Sequence, residues 1–186
     1  MLNGVPEPNA VIAIDLPKVA KNSLIITVAS LLLLWALHIA IEPKISFAIS
    51  LGSTLLFIVG YIVLIILHEL FHLLGFRLFG GVPWKRMIVG VNVKMGIAYA
   101  TTDQLMTNGS LRKSLLLPFW TTGVVPAIIG LVIGDGLLIS LAALLIGGAA
   151  GDFAMYRELK KLPDNWLVKD DPELPRLYVY ADDSFN

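Results

Sequence analysis

Leu55-Leu56-Phe57-Ile58-Val59-Gly60-Tyr61-Ile62-Val63-Leu64-Ile65-Ile66-Leu67-His68-Glu69-Leu70-Phe71-His72 is an apolar run that ends in two histidines and a glutamate. Its length and composition read as a membrane-spanning helix, where ionisable side chains are costly and so call for a chemical reason. Residues four apart lie one turn above each other on one helix face, so His68 and His72 can turn both imidazoles to one ion. Glu69 lies about 100° further round, beside such an ion without having to ligate it. There it could take a proton from water activated by the ion and deliver it to a leaving amine. Zinc suits nitrogen and oxygen donors with an open fourth position. The competing reading is a histidine and glutamate cluster hydrogen-bonded inside a helix bundle without metal.

Composition agrees with a membrane setting. Of 186 residues, 56% are hydrophobic and 15% charged, and the mean hydropathy is +0.78. That is far more apolar than a soluble domain of this size. A net charge of zero removes the electrostatic case for nucleic acid, leaving charge to speak about topology. Cysteine is absent, so any metal must be held by His, Asp or Glu. Residues 1–10 contain no basic residue, and the first apolar block starts only after Lys18 and Lys21, so it reads as a retained anchor, not a cleaved signal.

The pattern predicts an all-α membrane protein with four transmembrane helices, at about 23–41, 46–79, 111–134 and 137–162. These form one membrane domain over 22–162, flanked by an N-terminal segment 1–21 and a tail 163–186. Glu42-Pro43 stops the first span, and Gly80-Gly81 and Pro83 close the second. The second is ~50 Å long at 1.5 Å per residue, more than a ~30 Å hydrocarbon core, so it must tilt, break or project. Between Arg86 and Gln104, alternation of Val91, Val93 and Met95 with Asn92 and Lys94, interrupted by Gly90 and Gly96, predicts a small cytoplasmic β segment. It reads as a connecting sheet, or as an edge able to take an extended peptide as an added strand. Val11-Ile12-Ala13-Ile14 could lie on the membrane surface or pair as a strand, and Leu177-Tyr178-Val179-Tyr180 suggests a final strand. Pro118 and Pro126 should kink the third helix. Asp135 in Gly134-Asp135-Gly136 reads as a turn residue.

Basic residues cluster before span one (Lys18, Lys21), between spans two and three (Arg77, Lys85, Arg86, Lys94, Arg112, Lys113) and after span four (Arg157, Lys160, Lys161, Lys169). The other two connections hold only Lys44. Both termini and the β segment are therefore expected in the cytoplasm. His72 precedes Arg77 by five residues, as Asp152 precedes Arg157, which places both about 7 Å below the cytoplasmic interface, with His68 about 6 Å deeper. Asp152 is thus the best candidate for a third ligand. Gly147, Gly148 and Gly151 would let the fourth helix press against the second. The plainer reading is an aspartate reaching headgroup water. Glu158 and Asp103 are weaker options, and Asp135 belongs on the opposite side. His38 reads as an interfacial or hydrogen-bonded histidine. Arg112, Lys113, Tyr156 and Asn92 could polarise a carbonyl or orient substrate, with nothing in their spacing to choose among them.

His68-Glu69-Leu70-Phe71-His72 in a membrane helix, then a strand region, then an aspartate in a later helix, resembles the site-2-protease class of intramembrane zinc metallopeptidases. The chain looks closer still to a small bacterial and archaeal membrane family described as "putative zincin peptidases". Gly151-Asp152, Lys161-Leu162-Pro163 and Val168-Lys169-Asp170 with Pro172 are similar to that family's C-terminal half. The resemblance implies one zinc ion held by His68, His72 and Asp152, Glu69 as catalytic base, and a prokaryotic plasma membrane. The Asn-Pro and Asp-Gly pattern that carries the third ligand in the better-known site-2 proteases is not present as such; Pro126 and Asp152 match it in part.

The leading expectation is a zinc metalloprotease that hydrolyses a peptide bond of a membrane-associated substrate near the cytoplasmic face, with the lipid bilayer and a membrane protein or peptide as partners. The alternative is a non-catalytic metal-binding sensor or adaptor. A transporter is a third reading, which lacks the inverted repeat that would favour it.

Overall fold

The computed structural model describes residues 7–42, 50–93, 97–171 and 174–181. The expected start of the second span at Ser46, together with Lys44, Lys94, Met95, Gly96 and Pro172, lies outside the described residues. The elements in order are β1 (Ala10–Ala13), α1 (Leu16–Ile41), α2 (Leu51–Gly80), β2 (Met87–Asn92), β3 (Ile97–Thr102), β4 (Met106–Thr107) and α3 (Asn108–Pro118). A π-helical turn, Phe119–Val124, leads into α4 (Val125–Ile133), followed by α5 (Gly136–Gly148), α6 (Ala150–Leu159), β5 (Leu167–Asp170) and β6 (Arg176–Tyr180). Four stretches, Leu16–Ile41, Leu51–Gly80, Asn108–Ile133 and Gly136–Leu159, are long and apolar enough to cross a membrane.

The chain divides into two compact units, one of residues 16–69 and 117–151, the other of 1–15, 70–116 and 152–186. In the first, α1 packs along α5 around Leu34, Ala127, Ile139, Ala142 and Ala143. Small residues make this approach possible: a Cβ on Gly147 would lie 1.8 Å from Thr27 Oγ1. Trp35 Nε1 donates to Ser140 Oγ across the same seam at 3.1 Å. The glycine stripe therefore faces α1 and not α2 as expected. Gly151 also looks toward α1, at Val19, while Gly148 has nothing within 4 Å. The fourth span is not one helix either. Gly147-Gly148 has poor helix propensity, and Ala149 (φ −70°, ψ 6°) leaves helical geometry between α5 and α6. The Pro118 and Pro126 kink takes the form of the π-helical turn. Each proline removes an N–H that an α-helix would use, and between them the ladder shifts by one residue, with Val125 N–H bonding Trp120 O.

In the second unit the all-α expectation with one β segment proves too narrow. β2 and β3 form the expected hairpin, but β1, β6, β5 and β4 make a separate four-stranded antiparallel sheet in that order. Strands too short to stand alone become stable here because they pair residues far apart in sequence, such as Ala10 with Val179. Phe76, Met106, Leu111, Leu159, Val168 and Val179 form the core beneath them. α2 ends in a left-handed Gly81 (φ 67°), with Val82 N–H bonding back to Phe76 O, a C-cap that glycine adopts without strain. Asn108, fully buried, donates through Nδ2 to the carbonyls of Leu159, Leu162 and Pro163, tying the start of α3 to the end of α6.

Two local features of this unit are testable. A Cβ on Gly75 would sit 2.8 Å from Ser114 Cα, so Gly75→Ala must push α3 off α2. The variant is expected to lose about 1–3 kcal/mol of stability, read from thermal unfolding in detergent. Thr101 Oγ1 donates to Asp170 Oδ2 at 2.6 Å, linking β3 to β5. Burial pushes the Asp170 carboxyl from 3.8 up to about 6, against the opposing pull of the Thr101 hydrogen bond. The native state therefore holds this proton more tightly than the unfolded chain. Its ionisation costs stability progressively as pH rises from about 4 to about 6, by at most about 3 kcal/mol at roughly 1.4 kcal/mol per unit. Asp170→Asn retains an acceptor for Thr101 and is expected to raise the melting temperature of the metal-free protein at pH 7 while leaving it nearly unchanged at pH 4.

Candidate metal centre

α2 runs without a break through His68 and His72, so the helix itself sets their relation, one turn apart on one face. Both are buried, at 7% and 6% exposure, in a helix whose other large side chains are mostly exposed and apolar. A buried imidazole needs partners for its nitrogens, and α3 and the π-helical turn provide one for each Nδ1. His72 Nδ1 lies 3.2 Å from the backbone carbonyl of Ser114. A carbonyl only accepts, so Nδ1 carries the proton. His68 Nδ1 lies 3.2 Å from Thr122 Oγ1, and that hydroxyl donates its own proton to Pro118 O at 2.8 Å. The Thr122 oxygen is thereby left to accept, and His68 Nδ1 also carries a proton. In the neutral state both histidines consequently present the Nε2 lone pair.

Asp152, in the first turn of α6, brings Oδ1 to 3.3 Å from His72 Nε2. An imidazole lone pair and a carboxylate oxygen repel at this distance, so the pair requires something between them: a proton, carried by either partner, or a metal ion. Two donors each about 2.0–2.1 Å from a tetrahedral ion stand ~3.3 Å apart, which matches the observed separation. His72 and Asp152 thus bring an imidazole nitrogen and a carboxylate oxygen together, and the continuous α2 carries His68 one turn before His72. Two imidazoles and a carboxylate form a donor set suited to zinc, and the protonated Nδ1 atoms supply the second hydrogen bond that metal-ligating histidines ordinarily make. Glu69, partly exposed, follows His68 directly on α2.

The other residues singled out from the sequence are placed elsewhere or engaged. Asp103 pairs with Arg86 at 3.2 Å, Glu158 with Lys161, and Arg112 with Asp164. Asp135 caps α5 by accepting from Leu138 N–H at 2.9 Å. Lys113 is exposed; Tyr156 and Asn92 are half-buried, and Asn92 stands opposite Ile97 in the hairpin. His38 is 3% exposed, its Nδ1 has no hydrogen-bond partner among the described residues, and its ring meets Trp35 edge-on. The sequence reading did not identify Thr122 or the Ser114 carbonyl. Its only pointer to them was the eight-residue spacing of Pro118 and Pro126, which marks where a helix ladder must change register.

No curated protein and no solved structure matches the chain. Residues 61–167, from the middle of α2 to the first residue of β5, match the model of the family described as "Putative zincin peptidase". That family implies zinc and a metallopeptidase function, and the match spans more than half of the sequence: the chain belongs to the putative zincin peptidase family.

Proposed function

We propose that the protein is an integral membrane zinc metallopeptidase that hydrolyses a peptide bond of a membrane-associated substrate near the cytoplasmic face. The observation that carries this reading is the His72 and Asp152 pair, a lone-pair nitrogen and a carboxylate oxygen 3.3 Å apart, beside a second histidine whose Nδ1 is likewise committed as a donor. The membrane part rests on exposed apolar surface: Leu24, Leu32 and Leu33 on α1 and Leu56, Val59 and Ile66 on α2 are each more than half exposed. Surface of that kind, on helices able to span a bilayer, is stable against lipid and not against water.

In this reading His68, His72 and Asp152 hold the ion and leave a fourth position for substrate or water. Bound zinc supplies Lewis acidity, activating water and polarising the scissile carbonyl. Glu69, next to His68 in sequence, takes the proton from the attacking water and passes it to the leaving amine, the general acid–base role that a carboxylate can fill. Both termini and the β2–β3 hairpin face the cytoplasm, on the distribution of lysine and arginine.

Two measurements test this. Purified wild-type protein is expected to carry one zinc per chain, and His72→Ala and Asp152→Ala to lose it. Glu69→Gln should keep the zinc and lose ~10²–10⁴-fold in cleavage of a fluorogenic peptide mixture in proteoliposomes. Equal cleavage by Glu69→Gln and wild type would mean a metal-binding protein without hydrolytic function. For topology, the absence of cysteine makes single-cysteine labelling clean. In intact cells an impermeant thiol reagent should label Glu42→Cys and reach Lys85→Cys only after permeabilisation; the reverse pattern would invert the orientation.

A further inference from the structure

Both histidines have Nδ1 held in place, but by different means. His72 is held by a backbone carbonyl, which no substitution at Ser114 removes directly. His68 is held by a side chain, Thr122, which is 1% exposed and sits in the π-helical turn. Of these two Nδ1 partners, Thr122 is the one whose identity the sequence at that position decides.

We infer that Thr122 is a positioning residue for the metal centre, acting through His68, and that the π-helical turn exists to hand it over. This rests on the metal reading above. The hydroxyl has one proton, and Pro118 O takes it at 2.8 Å; the oxygen then accepts from His68 Nδ1–H at 3.2 Å. The relay from His68 to Thr122 to the Pro118 carbonyl fixes the Nδ1–H tautomer, leaves Nε2 as the ligating nitrogen and holds the ring against rotation. Removing one residue from the turn would restore an unbroken α-helical ladder. It would also turn the positions beyond the deletion by about 100° relative to those before it. Thr122 faces His68 only because the ladder changes register at this turn, and such turns recur where a helix must present a particular side chain.

The neighbouring threonine provides an internal control. Thr121 stands in the same turn and makes the same back-bond, from Oγ1 to Leu117 O at 2.9 Å. If the threonines merely stabilise the turn, the two should behave alike. Thr122→Val keeps the side-chain shape but leaves His68 Nδ1–H without its acceptor. It is expected to weaken zinc binding about 10–100-fold by chelator competition and to alter the visible absorption spectrum of the cobalt(II)-substituted protein. Thr122→Ser should restore wild-type affinity and spectrum, and Thr121→Val should leave both unchanged. The inference is overturned if Thr122→Val binds zinc within twofold of wild type with the same cobalt spectrum, if Thr121→Val weakens binding as much, or if Thr122→Ser fails to rescue.

A measurement on the wild-type protein without metal covers the case in which Thr122→Val does not fold. With three histidines in the chain, ¹⁵N signals can be assigned by comparison with His38 and His72 variants. His68 is expected to show a protonated Nδ1 and an unprotonated Nε2. The opposite tautomer excludes the relay even if zinc binds. Loss of stoichiometric zinc in the wild type with the Nδ1–H tautomer present would instead remove the metal reading, and the assigned purpose of the relay with it.

Discussion

Two imidazoles buried on an apolar helix each need an acceptor for Nδ1–H, and much of the local architecture follows from meeting that requirement. For His72 the acceptor is the Ser114 carbonyl, which is within reach because Gly75 lets α3 approach α2 closely. For His68 it is the Thr122 hydroxyl, brought round by a helix that changes register between two prolines. An unsatisfied buried donor would cost about 1–3 kcal/mol at either position. Meeting the requirement also fixes the chemistry, because a histidine whose Nδ1 donates can offer only Nε2 to an ion or a proton.

Asp152 reaches His72 by a different route. Its carboxylate is carried by the first turn of α6, which starts after the glycine-rich end of α5 and the non-helical Ala149. The small residues expected to bring the aspartate to α2 serve instead to seat α5 against Thr27 of α1. Depth in the membrane and helix order pointed to Asp152 as a ligand on the assumption that these glycines pack against α2, and that packing is not the one found. The sheet formed by the two ends of the described chain, with β1 on β6, and the Asn108 staple on the last carbonyl of α6 and on two carbonyls just beyond it complete the surroundings of that helix. Both are long-range in sequence and invisible to a reading by local pattern.

The legible features were those that depend on residue type and spacing alone. Apolar length marked out four helices able to span a membrane, since burying backbone polar groups in lipid leaves few alternatives to a helix. The i, i+4 spacing of His68 and His72 needs no tertiary information, because 3.6 residues per turn places them together wherever the helix goes. Period-two alternation located the β2–β3 hairpin. The second sheet was harder, because two-residue and four-residue strands such as β4 and β5 carry too little pattern to be distinguished from loop.

By itself, the sequence determined the helices, the histidine pair, the adjacent glutamate and the absence of any thiolate ligand, all consequences of composition and helical period. Only the tertiary structure decided that Asp152 meets His72 at 3.3 Å, that Thr122 and the Ser114 carbonyl set the histidine tautomers, and that Asp103, Glu158 and Asp135 are engaged elsewhere. The reason is geometric: a hydrogen bond tolerates a few tenths of an ångström. Which carboxylate or hydroxyl comes that close is set by how helices distant in sequence cross, and no local pattern of residues encodes it.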